Sequence, residues 1–157
     1  MMIQDFQLGD GGEMAELFYN TVHRVNAKDY TPQQLAVWAT GEMDLEKWEQ
    51  SFLGHCSLVA LDETGMIGFG DIHADGYLDR LYVRWDRQGQ GVARELCDRL
   101  EQAVSGTVTT HASITARPFF QARGYRVVRQ QQVVRQGVAL TNFVMEKIQG
   151  LSMTEIG

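Results

Sequence analysis

The stretch from Leu81 to Leu100, LYVRWDRQGQGVARELCDRL, constrains the fold more than any other, because an apolar run ends in a glycine-containing turn that opens straight into an amphipathic helix. In that helix Val92, Leu96, Cys97, Leu100 and Val104 share one side, and Arg94, Glu95, Asp98, Arg99 and Gln102 the other. A helix that begins this way leaves its first N–H groups without intrahelical acceptors, and the positive end of its dipole faces the same point. Gln88, Gly89, Gln90, Gly91, Val92, Ala93 and Arg94 therefore read as a cradle for an anion. Glycine at 89 and 91 keeps Cβ atoms out of the approach. No Lys-Ser/Thr pair follows the glycines as a P-loop requires, and no third glycine stands at dinucleotide-binding spacing.

Periodicity places the remaining elements around this unit. Met2 to Phe6 reads as a short strand, and Met14, Leu17, Phe18, Thr21 and Val22 form the apolar stripe of a helix. Thr31, Pro32 and Gln34 supply the cap, first position and capping-box partner of a second helix, and Glu42 to Leu53 reads as a third. Ser57 to Asp62, Met66 to His73 and Tyr77 to Val83 are expected as a meander with turns at Glu63-Thr64-Gly65 and Asp75-Gly76. Thr107 to His111 gives a strand and Thr115 to Arg123 a short helix ended by Gly124. Arg126 to Val134 and Val138 to Lys147 then close as a hairpin around Gln136-Gly137. The fold class is α/β (α+β), one domain over residues 1–148 with a C-terminal tail over 149–157.

Two ordered motifs carry a family resemblance. Gln88-x-x-Gly91-x-Ala93, after Leu81-Tyr82-Val83, resembles motif A of the GNAT superfamily of N-acetyltransferases. The superfamily's later pattern is matched by Ala116-Arg117-Pro118-Phe119-Phe120-Gln121-Ala122-Arg123-Gly124-Tyr125. Tyr30-Thr31-Pro32-Gln33-Gln34-Leu35, with Ala36 and Trp38, looks like the start of a bacterial single-domain subgroup, and Gly68-Phe69 fits its third strand. The resemblance implies a central mixed, mostly antiparallel sheet of six to seven strands, splayed between the fourth and fifth, with four to five helices. It also implies acetyl-CoA as acetyl donor, with the pyrophosphate on the amides of residues 88–94, the pantetheine arm on the backbones of Leu81 and Val83, and an unpaired N–H near Leu81 or Tyr82 to polarise the carbonyl. Ser113, Phe119 and Phe120 would lie along the arm, and a homodimer is in keeping with the family.

Acetyl transfer to an amine needs a polarised thioester, a deprotonated amine and an outlet for the thiolate. If Asp75-Gly76 is a two-residue turn, Asp71 faces Arg80 across the ladder and Asp79 faces Ile72. Asp71 then reads as an ion-pair partner, and Asp79, in an apolar setting, as the base. A carboxylate bonded only to solvent or backbone is the plain alternative for Asp79. His73 and His111 end strands on the side where a substrate would lie. The family commonly has tyrosine where this chain has Phe120, which cannot protonate the leaving sulfur; Ser113, Tyr82, water or the N-terminus of the Thr115 helix could serve instead. Tyr30, Gln34, Trp38, His73 and Asn142, with Trp48, are expected around the acceptor, and Asp44, Glu46 and Glu49 hint at a cationic one.

A net charge of −6 and a pI near 5.1 exclude a nucleic-acid surface of the usual basic kind. His23, His55, His73 and His111 show no paired ligand spacing, so no metal is expected, and Cys56 and Cys97 make no disulfide framework. Without a leader pattern or a membrane-length apolar run, the expected location is the cytoplasm, with no membrane partner. The expected partner is a small-molecule or peptide amine. The competing reading is an acyl-CoA-binding sensor or scaffold with little or no turnover.

Overall fold

Alternating apolar residues and glycine turns build the first half of the sheet in the computed structural model, which describes residues 1–149. β1 (Met2–Asp5) is followed by α1 (Gly11–Val25), α2 (Pro32–Trp38) and α3 (Leu45–Gln50). The meander β2 (Cys56–Asp62), β3 (Gly65–Ile72) and β4 (Tyr77–Val83) leads through a 3₁₀ turn at Trp85–Arg87 into α4 (Val92–Gln102). Then come β5 (Thr107–Ser113), α5 (Arg117–Ala122), β6 (Arg126–Arg135) and β7 (Val138–Ile148). The seven strands lie in the order β1-β2-β3-β4-β5-β7-β6, antiparallel except for β4 against β5. This is the mixed, mostly antiparallel sheet with five α-helices that the resemblance implied.

Local chemistry sets the ends of the helices. Thr31 and Gln34 make the reciprocal capping box, with Oγ1 accepting from the Gln34 N–H at 3.2 Å and Gln34 Oε1 from the Thr31 N–H at 2.9 Å. The third helix is shorter than the expected span of 42–53, because Asp44 caps it through the Lys47 N–H and Ser51 closes it. Glu49, read from sequence as part of an acidic surface, instead accepts from the N–H groups of Gly9 and Gly11 and so caps α1.

The sheet from β2 to β4 is covered on both faces. α4 lays Val92, Leu96, Cys97 and Leu100 on Ile67, Ile72, Leu78 and Val108, while α1 lays Met14 and Leu17 on Val59, Met66 and Phe69. Gly70 permits the first contact, since a Cβ there would stand 2.9 Å from both Leu100 Cδ1 and the Arg80 carbonyl oxygen. At the far end of α4 the buried Glu101 carboxylate accepts from Arg123, from the Tyr125 hydroxyl at 2.6 Å and from Lys147 at 3.0 Å. One side chain thus ties α4 to the chain entering β6 and to β7. The expected tail lies outside the described residues from residue 150 onward, while Gln149 donates to the Val104 carbonyl at 3.1 Å.

One difference from the expected register matters for the site. His73 N–H donates to the Tyr77 carbonyl and Gly76 N–H to the His73 carbonyl, so the turn is one residue longer than Asp75-Gly76 alone. Asp71 pairs with Arg80 as expected, but Ile72 pairs with Leu78, and Asp79 is the extra residue of a β-bulge.

Candidate functional site

The parallel ladder between β4 and β5 is short. Only Tyr77 with Thr109 and Leu78 with Thr110 are in register, reinforced by Thr110 Oγ1 donating to the Leu78 carbonyl at 2.9 Å. Past the Asp79 bulge the strands part. On β4 the Arg84 N–H donates to the Ile67 carbonyl on β3, and the alternation of a strand turns the backbone groups of Leu81 and Val83 the other way, into the gap. The Val83 carbonyl is already filled, by Thr21 Oγ1 at 3.0 Å and Gln88 Nε2 at 2.7 Å. Of the backbone groups assigned to a ligand from sequence, this leaves both from Leu81 and the N–H of Val83; it removes the Val83 carbonyl, and the Tyr82 N–H too, because alternation turns it towards Phe69 on β3.

The Gln88 bond also explains how the cradle is held, since it folds the loop back on the strand it leaves. Gly91 is the N-cap of α4 at φ 84°, a left-handed conformation suited to glycine, and no side chain caps the helix. The first intrahelical bond is Glu95 N–H to the Gly91 carbonyl, so the preceding amides are free to take an anion. Gly89 faces open space. A cavity of about 390 Å³ runs from this loop along Leu81 to Ser113, Phe119 and Phe120. An extended phosphorylated arm fits these features: bare amides at one end, unpaired strand backbone along the middle and apolar rings opposite.

A second cavity of about 470 Å³ lies between the helices and the β6–β7 hairpin. Trp38, Asp79, Tyr82, His111 and Ser113 line both cavities and mark where they meet. Ser113 Oγ accepts from the Ala116 N–H at 3.0 Å, which leaves its proton available. Burial pushes the Tyr82 phenol up to about 12, so it stands as a neutral donor. Phe120 is buried against Phe119 and Tyr125.

Asp79 is at this junction, but in other surroundings than expected. The bulge takes it off Ile72, and its Oδ2 lies 3.0 Å from His73 Nε2 and 4.0 Å from Arg80. His73 stacks on His55 at 4.0 Å between centroids, and His55 Nε2 lies 2.8 Å from the buried Asp71. Arg80 grips both Asp71 oxygens and rests its guanidinium 3.7 Å over the Phe52 ring. His55, Asp71 and His73 thus bring three ligand atoms within 4.8 Å, a grouping that sequence spacing did not reveal because the β2–β3 pairing creates it. Arg80 binds both oxygens of the Asp71 carboxylate, and His55 shares one of them. The group is built as an ion-pair network.

The remaining sequence candidates divide. Tyr30, Trp38, Trp48 and Asn142 line the second cavity, and Asn142 Oδ1 is buried there without a partner among the described residues. The Tyr30 hydroxyl is committed, donating to the Thr141 carbonyl at 2.6 Å and accepting from the Ile114 N–H at 2.9 Å. Gln34 lines neither cavity; besides its cap it donates to the Ala139 carbonyl at 2.9 Å. His73 also lines neither and reaches the junction through Asp79. Sequence reading missed Thr21, Tyr77, Val133 and Arg135. For the last two the signal was available, because alternation along the hairpin puts Val133 and Arg135 on one face.

Residues 26–147 match the model of the Acetyltransferase (GNAT) domain. The chain is similar to the uncharacterized N-acetyltransferase YafP of Escherichia coli (strain K12), 32% identical over 145 residues that cover 92% of this chain and 94% of that one. A GCN5-related N-acetyltransferase from Rhodopseudomonas palustris superposes with a TM-score of 0.90 at 28% identity, covering 94% of this chain and 95% of that one. The PaiA N-acetyltransferase from Thermoplasma acidophilum, in complex with coenzyme A, shares the fold with a TM-score of 0.74 at 18% identity, covering 94% and 98%.

Proposed function

Since the chain belongs to the GNAT family of acetyltransferases, we propose that it transfers an acetyl group from acetyl-CoA to the nitrogen of a primary amine by direct attack. The observation that carries this reading is the meeting of the two cavities at Asp79, Tyr82 and Ser113. When bound, acetyl-CoA supplies a thioester carbon that an uncharged amine attacks, with departure of the CoA thiolate.

The chain's own groups do the rest. The free amides from Gly91 to Arg94 hold the pyrophosphate, and the backbone of Leu81 with the N–H of Val83 orients the arm in the gap between β4 and β5. The Leu81 N–H, facing that gap, is the donor that polarises the thioester oxygen. Asp79 takes the proton of the incoming ammonium, directly or through water, and His73, bonded to Asp79 and half-exposed, passes it to solvent. The neutral Tyr82 phenol or the Ser113 hydroxyl returns a proton to the sulfur. Phe120 has no proton to give, and a thiolate with a pKa near 8.5 leaves without much help. A thiol intermediate on the enzyme has no place here. Cys97 is buried and its thiol pushed up to about 12 by that burial, and neither cysteine lines a cavity.

The test is the thermal midpoint with acetyl-CoA against free adenine nucleotide, followed by thiol release across a panel of amines. Binding at 100 times Kd stabilises by about 2.7 kcal/mol, so a rise specific to acetyl-CoA, with amine-dependent release, is expected. No rise at saturation removes the reading. A rise without release for any amine replaces it with a CoA-binding module.

A further inference from the structure

The second cavity has a direction. Asn142 on β7 pairs with Gln131 on β6, Leu140 with Val133, and Val138 with Arg135. Read outward from the junction, the hairpin wall offers the Asn142 side-chain Oδ1, without a partner among the described residues, then the apolar pair Leu140 and Val133, then Arg135. From the level of Asn142 to that of Arg135 is four strand residues, about 13 Å of backbone. Phe18, Trp38 and Tyr77 add aromatic rings to the cavity's lining.

Charge follows the same order. Asp79 is the acidic group on the cavity, at the junction end. Arg80 also borders it, but Nε and Nη2 bind Asp71, Nη1 binds Ser51 Oγ at 2.7 Å, and its charge is matched by the buried Asp71. Arg135 is different: it is exposed and borders the cavity, and among the described residues its side chain has no hydrogen-bond or ion-pair partner. The acidic residues that hinted at a cationic acceptor line neither cavity, and Asp44 and Glu49 are helix caps. A polyamine would put a second cation beside Arg135.

From this polarity we infer that the acceptor is a primary amine whose flat, apolar body carries a carboxylate at the end away from the nitrogen. The inference rests on the acetyltransferase reading and names its substrate class. The ammonium sits between Asp79 and Asn142 Oδ1, the body lies along Leu140 and Val133, and the carboxylate pairs with Arg135, whose planar donors suit it. An α-amino acid, with its charges adjacent, fills only the junction end.

The experiment compares kcat/KM for para-aminomethylbenzoate, benzylamine, phenylalanine and spermidine in the full chain, with the acetyl-CoA thermal shift measured on the same samples. Para-aminomethylbenzoate is expected to exceed each of the others by roughly tenfold, the scale of one added ion pair. Arg135→Gln should lower its preference over benzylamine by a similar factor, and Arg135→Lys should restore most of it. Equal or better turnover of benzylamine, phenylalanine or spermidine overturns the inference, as does a preference unchanged in Arg135→Gln. Where the thermal shift persists in those cases, the acetyltransferase reading stands and only the acceptor class falls. Loss of the shift in the unmodified chain removes both.

Discussion

Asp79 illustrates how much a single residue's role depends on a local irregularity. In an unbroken ladder it would look at Ile72; as the odd residue of a bulge it looks along the gap between the strands and takes His73 as partner. Asp79→Asn keeps the shape and removes the proton acceptor. Its kcat is expected to fall roughly 100-fold, with the acid limb of the rate profile flattened and the acetyl-CoA thermal shift retained. An unaltered pH profile would remove Asp79 from the mechanism. Thr21 acts at the same scale. Thr21→Val strips one of two donors from the Val83 carbonyl and is expected to cost about 1 kcal/mol of stability, read from denaturant midpoints, and to weaken acetyl-CoA binding by loosening the end of β4.

Among the elements, the unit from β4 to α4 was the most legible in the sequence, because its apolar alternation, glycines and helical stripe agree with one another. The capping box at Thr31 was equally plain. The turn before β4 was not. Asp75-Gly76 looks like a complete two-residue turn, and nothing local says that His73 will pair with Tyr77 and displace the register; the parallel contact with β5 decides it, with Thr109 N–H bonding the Gly76 carbonyl at 3.0 Å. Gly76 sits at φ 92°, and a Cβ there would lie 2.3 Å from the Thr107 carbonyl oxygen. Gly76→Ala should therefore destabilise by more than about 1 kcal/mol and reduce activity at temperatures where the fold survives. The acidic residues near the acceptor end were hard to place for a related reason. Acidic residues count the same in composition whether they face a ligand or cap a helix, and only the fold shows that Glu49 caps α1 while Arg135 borders a cavity. In α4, Leu96 is fully buried, and Leu96→Ala is expected to lower unfolding free energy by about 2–5 kcal/mol.

Across the whole molecule, Glu101 joins parts that the short β4–β5 ladder holds loosely. Burial alone would raise its pKa, but hydrogen bonds from Arg123, Tyr125 and Lys147 outweigh that and leave it below the usual carboxylate value. A carboxyl depressed in the fold stabilises fully above its unfolded pKa, about 4.3 for glutamate, and that stability is lost as pH falls through the folded value. The thermal midpoint should thus decline below about pH 4–5, and Glu101→Gln should lower the midpoint at neutral pH while flattening that acid decline. Equal acid slopes in both proteins would assign the decline to other carboxylates.

The hairpin of β6 and β7 has a consequence for how such a chain diversifies. The proposed place of the donor is a gap in the middle of the sheet, held by Thr21 of α1, Gln88 of the loop before α4 and Gly76 of the turn before β4, each bound by neighbours and tolerant of little change. The far wall of the second cavity, where we propose the acceptor lies, hangs on β6, an edge strand paired on one side only and largely exposed. Mutations on that strand can retune the choice of amine while the acetyl-handling core is inherited intact, so drift along the edge is a route to new substrates on an old scaffold.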